Sequence, residues 1–499
     1  MTITLTDREK SVLRTAAYGA VSLMAAADVA GSPGRAAAQG TLSLTSATGL
    51  VGHVLAEKTK DIRLDGRSVA EIADRVLPAL AEAMSLLKRA PQEADDFRRT
   101  VTIAVDTAAR AHGGEPGPAA AEMARKINEA LDAGTADRER PELQKIIQEA
   151  VDAGLTGMTL RVNDERGEWV GAAGLGELGG DAPPPVDGHV RIGSNTKTFT
   201  AVVVLKLVAE GAIGLDAPVA DHLPEFGLDR RITVRMLLQH TSGIFNFTGE
   251  YHDDGTFTPG IPATPAGKEW VDNRLHTYRP QELVRLALSK PARFEPGTDW
   301  SYSNTNYVLA RLLIEKVTGR PVAEEMQRLV LGPLGLSGTV QPSSATDVPE
   351  PHAHAYYRYE EDGRSQTVDV TRHNPSWISS GGDMISTSRD LATFISALAG
   401  GRLLPADLLA EMCTPESKAG YGLGVFVQPV PGGGTVITHN GGMAGHAALM
   451  YSTPDGGTTM TAALNYVDDA AMSAGAAFQE ATQRLVAEVF GNGQAGPAH

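Results

Sequence analysis

The sequence is poor in cysteine. Its 499 residues contain a single one, Cys413, so an internal disulfide is excluded. A nucleophilic cysteine needs a basic or electropositive neighbour that lowers the pKa of its thiol, and no such residue lies close to Cys413 along the chain. Cys413 is therefore predicted to be a small core residue, and the chemistry of the protein is expected from other side chains.

Long hydrophobic runs are also missing. No apolar stretch reaches the ~18–20 residues that a membrane-spanning helix requires. Basic residues precede the apolar segment 16–27, as in a signal peptide, but acidic residues interrupt this region and no clear cleavage site follows. We therefore expect a helix of a folded domain and a cytoplasmic protein.

Positive charge is in short supply. The chain has 44 Lys and Arg against 60 Asp and Glu, which gives a net charge of −16. This balance argues against nucleic acid and against an anionic membrane surface as partners. The histidines show no spacing typical of metal ligands, so neither a metal nor a cofactor is predicted, and the expected partner is a small-molecule or peptide substrate.

The chain divides into two regions of different pattern. Residues 1–135 show helical periodicity throughout and predict an all-α helical bundle domain. They carry no catalytic motif, so a regulatory module or a docking module for a protein partner is expected. The polar segment 134–141 breaks the pattern and predicts a boundary, with domains at 1–135 and 136–499.

The second region mixes strands and helices. Alternating residues at 158–162 and 169–173 predict a β-hairpin, and four further strands are expected between 422 and 464. Helices and loops fill the middle. Strands at both ends of the domain predict one antiparallel β-sheet flanked by helices, with a mostly helical subdomain beside it, which is an α+β fold.

The most chemically informative segment is Gly193–Lys197, which precedes an apolar run typical of a buried helix. On such a helix Ser194 and Lys197 lie on one face, about one turn apart. The first turn of a helix is electropositive because its backbone N–H groups are unpaired. A hydroxyl, a nearby amine and an electropositive helix end are what a serine nucleophile needs.

Two later segments add polar groups suited to the same chemistry. Tyr302 and Asn304 lie in a loop that leads into a helix. A tyrosine can accept a proton if cationic neighbours lower its pKa from about 10, and an asparagine amide can both donate and accept hydrogen bonds. His439 ends a predicted strand and is followed by Asn440 and by Gly441–Gly442, where the lack of side chains lets a substrate backbone approach.

Ser-x-x-Lys at 194–197, Tyr-x-Asn at 302–304 and His-x-Gly at 439–441 occur in that order. Together they resemble the three motifs of the serine β-lactamase and penicillin-binding protein superfamily, most of all its class C β-lactamase and D-alanyl-D-alanine carboxypeptidase branch. The likeness runs from about 143 to 489. It implies a β-lactamase/transpeptidase-like fold for the second domain, and it does not extend to the first domain.

The resemblance implies four catalytic residues. Ser194 is the nucleophile that becomes acylated. Lys197 and Tyr302 share the proton transfers, as neutral amine or phenolate, and which of them is the base stays open because the pair titrates as a unit. His439 is expected to support Tyr302 through a hydrogen bond.

The resemblance also implies how substrate is held. Asn304 is expected to orient the substrate amide and Lys197. The backbone N–H groups of Ser194 and Gly442 are expected to form an oxyanion hole, and the strand edge at Asn440–Gly442 is expected to bind substrate in extended form.

Two departures from the family pattern bear on the substrate. Asn440 stands where the family often has a threonine, and the segment 422–427 contains no arginine that could bind a terminal carboxylate. Both should weaken recognition of D-Ala-D-Ala ends and of β-lactam carboxylates. The sequence predicts a serine hydrolase that acts through a Ser194 acyl-enzyme on an ester or amide. The alternative is a sensor that stays acylated and signals through the helical domain.

One other pair invites a catalytic interpretation. His240 and Ser242 lie two residues apart, as members of a serine–histidine pair could. In the family likeness this segment is structural, and His240 is predicted to be structural here.

Overall fold

The computed structural model describes residues 5–27, 33–57, 69–87, 90–111, 117–133, 140–252, 255–261 and 267–491. The chain forms two compact units, which comprise Met1–Arg140 with Arg166–Trp169, and Pro141–Glu165 with Val170–His499. Of the predicted boundary segment 134–141, residues 134–139 lie outside the described residues.

The first unit is a bundle of helices with its own hydrophobic core. Its helices are α1 (Asp7–Ala27), α2 (Pro33–Thr45), α3 (Gly49–Ala56), α4 (Val69–Leu87), α5 (Pro91–Ala109) and α6 (Pro118–Ala133). α1 packs against all five others. Alanines 16, 17 and 20 of α1 are fully buried, and their small side chains allow the neighbouring helices to approach closely. The all-α prediction for this region is confirmed.

The second unit is built on a six-stranded sheet with the strand order β2-β1-β12-β11-β10-β9. β1 pairs antiparallel with β12, and β9 to β12 form an antiparallel meander. The strands of this sheet are β1 (Gly157–Asp164), β2 (Gly167–Gly174), β9 (Phe426–Pro429), β10 (Thr435–Met443), β11 (His446–Ser452) and β12 (Thr459–Asn465). The prediction of one sheet assembled from both ends of the domain is confirmed.

The remaining elements of the second unit are short strands and helices placed around this sheet. The strands are β3 (Val190–Arg191), β4 (Glu250–Tyr251), β5 (Phe257–Thr258), β6 (Tyr356–Glu361), β7 (Arg364–Asp369), β8 (Ile385–Ser386) and β13 (Val467–Asp469). The helices are α7 (Pro141–Asp152), α8 (Thr196–Ala209), α9 (Val234–Gln239), α10 (Gly267–Asn273), α11 (Pro280–Leu288), α12 (Asn304–Thr318), α13 (Val322–Met326), α14 (Gly332–Leu334), α15 (Ser388–Ala399), α16 (Ala406–Met412) and α17 (Gly475–Phe490). Among all described helices, none is long and apolar enough to cross a membrane.

Strand β10 is longer than its sequence suggests. The residue pattern predicts a strand over 435–439. In the structure β10 continues through Gly441 and Gly442 to Met443 and pairs with β11 along its whole C-terminal half. The glycine segment is therefore part of the sheet edge that faces the nucleophile.

Helix α8 lies at the centre of the main hydrophobic core. Eleven of its residues are buried, as its nearly all-round hydrophobicity predicts. Phe199 of α8 stacks on Phe394 of α15 with ring centroids 3.6 Å apart and an interplanar angle of 10°. Both rings are completely inaccessible to solvent. The position of α8, and of the catalytic side chains at its N-terminus, depends on this packing.

Replacing Phe199 with alanine should therefore destabilise the second unit by about 3–5 kcal/mol, because the lost ring leaves a cavity in a core that cannot collapse. Denaturant unfolding measures this change. Phe257→Ala is the matched control, since 47% of the Phe257 residue is exposed. A loss for Phe199→Ala no larger than that of the control would contradict the central role of α8.

Candidate active site

Ser194 is the middle residue of a single 3₁₀ turn directly before α8. Gly193 allows this turn because its φ of +48° lies in the left-handed region, which glycine adopts without strain. The side-chain nitrogen Nδ2 of Asn195 donates to the backbone carbonyls of Ile192 (2.9 Å) and Ala448 (3.0 Å), and the second of these bonds connects the turn to β11. Ser194 is the one partly exposed residue of a buried turn, so its hydroxyl faces outward.

The Lys197 side chain is completely buried and makes three polar contacts. Its Nζ donates to the side-chain oxygen of Asn304 (2.7 Å) and to the backbone carbonyl of Gly381 (2.6 Å), and it lies 3.2 Å from Ser194 Oγ. Burial lowers the pKa of this amine well below its ordinary value, and the negative charge of Asp383 opposes the shift only in part. Lys197 is thus prepared to be a neutral amine next to the serine.

Tyr302 approaches Ser194 from the other side. Its hydroxyl lies 2.8 Å from Ser194 Oγ, and Lys197 Nζ lies 4.7 Å from the centroid of its ring. Burial raises the pKa of Tyr302, and the hydrogen bond to Ser194 offsets this only in part. The sequence had suggested that cationic neighbours would lower this pKa. In the structure desolvation dominates, so the phenol keeps its proton at neutral pH.

Asn304 is the first residue of α12 and links the motif residues to a neighbouring loop. Its side-chain oxygen accepts from Lys197, while its side-chain nitrogen donates to Thr248 Oγ1 (3.2 Å). Its backbone N–H donates to the side chain of Asn246 (3.1 Å). These contacts fix which end of the Asn304 amide faces Lys197.

The edge of β10 touches the nucleophile turn backbone to backbone. A Cβ atom on Gly441 would lie 2.1 Å from the carbonyl oxygen of Ile192 and 2.4 Å from the nitrogen of Ser194. A Cβ on Gly193 would lie 2.5 Å from the nitrogen of Gly442. Only glycine fits these positions. The approach brings the backbone of Gly442 beside the Ser194 turn, as the predicted oxyanion hole requires.

The predicted hydrogen bond from His439 to Tyr302 is wrong. The Nδ1 of His439 lies 2.9 Å from the carbonyl oxygen of Asn440, and its Nε2 lies 3.2 Å from the hydroxyl of Tyr421. Both ring nitrogens are therefore occupied. Burial, with the Lys197 charge as a smaller cause, lowers the pKa of His439 to about 3, so the ring is neutral at physiological pH.

Asn440 points away from the catalytic group along the strand. Side chains alternate between the two faces of a strand, so Asn440 lies on the face opposite His439 and Gly441. Its amide nitrogen donates to the hydroxyl of Tyr451 on β11 (2.7 Å). A contact between this side chain and substrate stays a prediction.

Several groups of the site gave no signal in the sequence spacing. The carbonyl of Gly381 and the carboxyl of Asp383 belong to a segment, 377–387, that matches the family pattern but contains no motif residue. Asp383 is fully buried, and burial raises the pKa of its carboxyl, while the charge of Arg311 counteracts the rise. Thr248 and Tyr421 likewise reach the site only through folding.

The histidines that lie elsewhere in the sequence do not gather into a metal centre. His352 and His354 have ring centroids 5.4 Å apart, and His354 Nδ1 lies 2.6 Å from Asp369 Oδ2. Across the described residues, no group of three or more His, Cys, Asp or Glu side chains could hold a metal ion.

Comparison with known proteins agrees with this geometry. A family model described as Beta-lactamase matches residues 143–483, more than half of the chain. The chain belongs to the Beta-lactamase family. The expected superfamily and fold are thereby confirmed for the second unit.

Three relatives illustrate the range of the family. A D-stereospecific amidohydrolase from Streptomyces sp. has 36% sequence identity and a TM-score of 0.61, covering 72% of this chain and 100% of its own. A D-amino acid amidase from Ochrobactrum anthropi SV3 has 27% identity and a TM-score of 0.58, covering 70% and 99%. The esterase EstB from Burkholderia gladioli is 34% identical over 175 residues, 33% of this chain and 41% of its own length. The match spans less than two thirds of each curated relative.

Gly441→Ala should disable Ser194 without touching any catalytic side chain. The new Cβ would clash with backbone atoms, which cannot rotate away, so β10 must shift from the nucleophile turn. We expect the rate of covalent labelling by a fluorophosphonate to fall at least about 10²-fold, the effect of losing one oxyanion donor.

Gly475→Ala is the control for this substitution, because its Cβ would meet nothing closer than Met472 Cβ at 3.9 Å. Its labelling rate should equal that of wild type. Undiminished labelling of a correctly folded Gly441→Ala variant would show that β10 does not form the site described above.

Proposed function

We propose that this protein is a serine hydrolase that forms an acyl-enzyme at Ser194 and hydrolyses amides or esters of D-amino acids. The observation that carries the proposal is the pair of contacts to Ser194 Oγ, from Lys197 Nζ at 3.2 Å and from the Tyr302 hydroxyl at 2.8 Å. A nucleophile between a base and an acid is the arrangement that acyl transfer requires.

The hydrogen bonds of Lys197 favour it over Tyr302 as the base. Two of its contacts, the Asn304 side-chain oxygen and the Gly381 carbonyl, can only accept, so each uses one N–H of the amine. The remaining position faces Ser194 Oγ. In the neutral form favoured by burial, that position holds the lone pair, which can take the serine proton. Tyr302 keeps its proton and can act as the acid.

A balanced reaction follows from these roles. Lys197 takes the proton of the Ser194 hydroxyl as Oγ bonds to the substrate carbonyl carbon, and the negative charge on oxygen is held by the backbone N–H groups of Ser194 and Gly442. The oxyanion then re-forms the carbonyl as the bond from its carbon to the leaving nitrogen or oxygen breaks, the Tyr302 hydroxyl gives its proton to that leaving atom, and the Lys197 ammonium returns a proton to Tyr302. Water repeats the sequence on the acyl-enzyme, which releases the acid and regenerates Ser194.

The choice of substrate rests on the relatives and on what the site offers for a carboxylate. Two similar solved structures are named as a D-stereospecific amidohydrolase and a D-amino acid amidase. The buried amine is neutral in this proposal, and the segment 422–427 supplies no arginine. An amide or ester, which carries no terminal carboxylate, therefore suits the site better than a D-Ala-D-Ala end or a β-lactam carboxylate.

Ser194→Ala should abolish covalent labelling by a fluorophosphonate or a fluorescent β-lactam, because the attacking oxygen is gone. Labelling followed by peptide mass spectrometry locates the modified residue. Thr200→Ala serves as the control, since Thr200 also lies on α8 and is fully buried. Its hydroxyl donates to the backbone carbonyl of Ser380. Equal labelling of Ser194→Ala and wild type would refute the assigned nucleophile.

A substrate panel separates the proposed activity from its alternatives. We expect D-phenylalanine amide and p-nitrophenyl esters to be turned over at least about tenfold faster, in kcat/KM, than the L-amide, D-Ala-D-Ala peptides and a chromogenic cephalosporin. An initial burst with no steady-state rate on every substrate would instead favour the acylated sensor that signals through the helical unit. Peptide hydrolysis far above that of amides and esters would contradict the ranking.

The pH dependence of acylation tests the role of Lys197. A base is active only when deprotonated, so the rate falls as pH drops below its pKa in the folded protein. Because burial lowers the pKa of Lys197 well below its usual value of about 10.4, the acylation rate should be level from pH 8 to pH 10. A tenfold rise per pH unit across this interval would contradict a neutral amine.

One buried acid in β13 needs a control once the pH profile is extended from pH 8 down to pH 5. Burial raises the pKa of Asp468 to about 6, so its ionisation could produce an acidic limb of its own. The Asp468→Asn variant should show the same pH profile as wild type. His439 does not interfere, since its pKa of about 3 lies below the measured range.

A further inference from the structure

We propose that His240 is a positioning residue that holds Tyr302 in its catalytic orientation. The inference rests on the proposed function, because it assigns a task within the same site. His240 lies at the C-terminal end of α9, is completely buried, and contacts the loop that carries Tyr302. It is not close enough in sequence to any motif residue for spacing to reveal the relation.

His240 binds the backbone on both sides of Tyr302. The N–H of Ser301 donates to the backbone carbonyl of His240 (3.1 Å), and the N–H of Ser303 donates to its ring Nδ1 (3.2 Å). The two residues that flank Tyr302 are therefore anchored to one residue. Because hydrogen bonds to His240 restrain the backbone on both sides of Tyr302, they fix the position of the Tyr302 Cα relative to α9.

The same ring also restrains the tyrosine side chain. The ring centroids of His240 and Tyr302 lie 4.4 Å apart at an interplanar angle of 38°. The rings of Tyr307 and Tyr421 pack against His240 at 5.3 and 4.9 Å, and Trp300 lies at 6.2 Å. These rings confine the Tyr302 phenol to the orientation in which its hydroxyl reaches Ser194.

The hydrogen bonds determine the form of the imidazole. Nδ1 accepts from the Ser303 backbone and lies 3.1 Å from the side-chain nitrogen of Asn306, so it carries no proton. The proton is therefore on Nε2, which is buried and has no hydrogen-bond partner among the described residues. Burial lowers the pKa of His240 well below its ordinary value, which keeps the ring in this neutral form.

These contacts agree with a non-nucleophilic role for His240 and Ser242 and exclude a serine–histidine pair. The hydroxyl of Ser242 donates to the side-chain oxygen of Asn306 (2.6 Å) and does not bond to His240. The Nδ1 of His240 is already used as an acceptor for Ser303. His240 therefore touches no reacting atom and acts through Tyr302.

The backbone of His240 makes the inference testable. Its φ of +63° lies in the left-handed region, which glycine and asparagine tolerate far better than other residues. His240→Gly should thus keep the turn and the carbonyl bond to Ser301 while it removes the ring. His240→Asn should also keep the turn, and its side-chain oxygen can replace Nδ1 as acceptor for the Ser303 N–H.

The experiment is a double-mutant cycle on the full-length chain, with the acylation rate constant for D-phenylalanine amide as the readout, because an amide nitrogen leaves only when it is protonated. We expect His240→Gly to lower this constant about 10²-fold, the effect of a displaced catalytic group, with amide binding changed by less than about threefold. In the Tyr302→Phe background the same substitution should change it by less than about threefold, because the hydroxyl that His240 positions is already missing.

Two further variants separate positioning from general loss of stability. His240→Asn should recover at least about tenfold of the acylation rate lost in His240→Gly. His373→Asn is the matched control, because His373 is 1% exposed and its ring, like that of His240, is bonded to the backbone. The Nδ1 of His373 lies 2.9 Å from the carbonyl oxygen of Val370. Its acylation rate should stay within about threefold of wild type even if it unfolds at lower temperature. If His240→Gly does not fold, the cycle is run with His240→Asn, for which a smaller loss and the same non-additivity are expected.

Equal losses in the wild-type and Tyr302→Phe backgrounds would overturn the inference, as would equal rates for His240→Gly and His240→Asn. A loss in His373→Asn as large as in His240→Gly would also overturn it. Failure of the proposed function looks different, because then wild type would not be labelled at Ser194. If Ser194 is labelled and the cycle is additive, the hydrolase assignment survives and the role of His240 does not.

Discussion

The site depends on one buried amine. Lys197 is enclosed at the N-terminal end of α8, where its nitrogen contacts the serine hydroxyl, one side-chain amide and one backbone carbonyl. Removing an ammonium from water is costly unless it is paired, so a lysine in this position gives up its proton more readily. In the proposed function this amine is the base next to the nucleophile Ser194. The free-energy cost of burying this nitrogen is offset by the packing of the surrounding hydrophobic core.

Four segments that are distant in sequence meet around this amine. The 3₁₀ turn and the first turn of α8 supply Ser194 and Lys197, the loop that enters α12 supplies Tyr302 and Asn304, and the segment 377–387 supplies the Gly381 carbonyl. Strand β10 closes the group through the backbone contact at Gly441. Lys197 contacts both Asn304 and Ser194, and Ser194 also contacts Tyr302, so these side chains form one hydrogen-bonded network. The aromatic cluster around His240 extends that network behind Tyr302.

The electrostatics of the site follow from burial more than from opposite charges. Burial lowers the pKa of Lys197, His240 and His439 and raises that of Tyr302, so each of these groups is favoured in its neutral form. A neutral site offers no cation to pair with a substrate carboxylate. This property connects the observed geometry with amide and ester substrates, and it contrasts with the net charge of −16 carried by the whole chain.

Sequence patterns were enough to predict the main secondary-structure elements and the motif residues. Periodicity predicted the helical bundle, the hairpin of β1 and β2 and the C-terminal strands, because each pattern is local. The order of the motifs identified Ser194, Lys197, Tyr302 and Asn304, which the structure brings together. The hydrogen-bond partners of these groups become visible only in the folded chain. His439 bonds to Tyr421, burial raises the pKa of Tyr302, and His240 bonds to the residues on either side of Tyr302. These contacts join segments that are far apart in sequence, so spacing along the chain does not predict them.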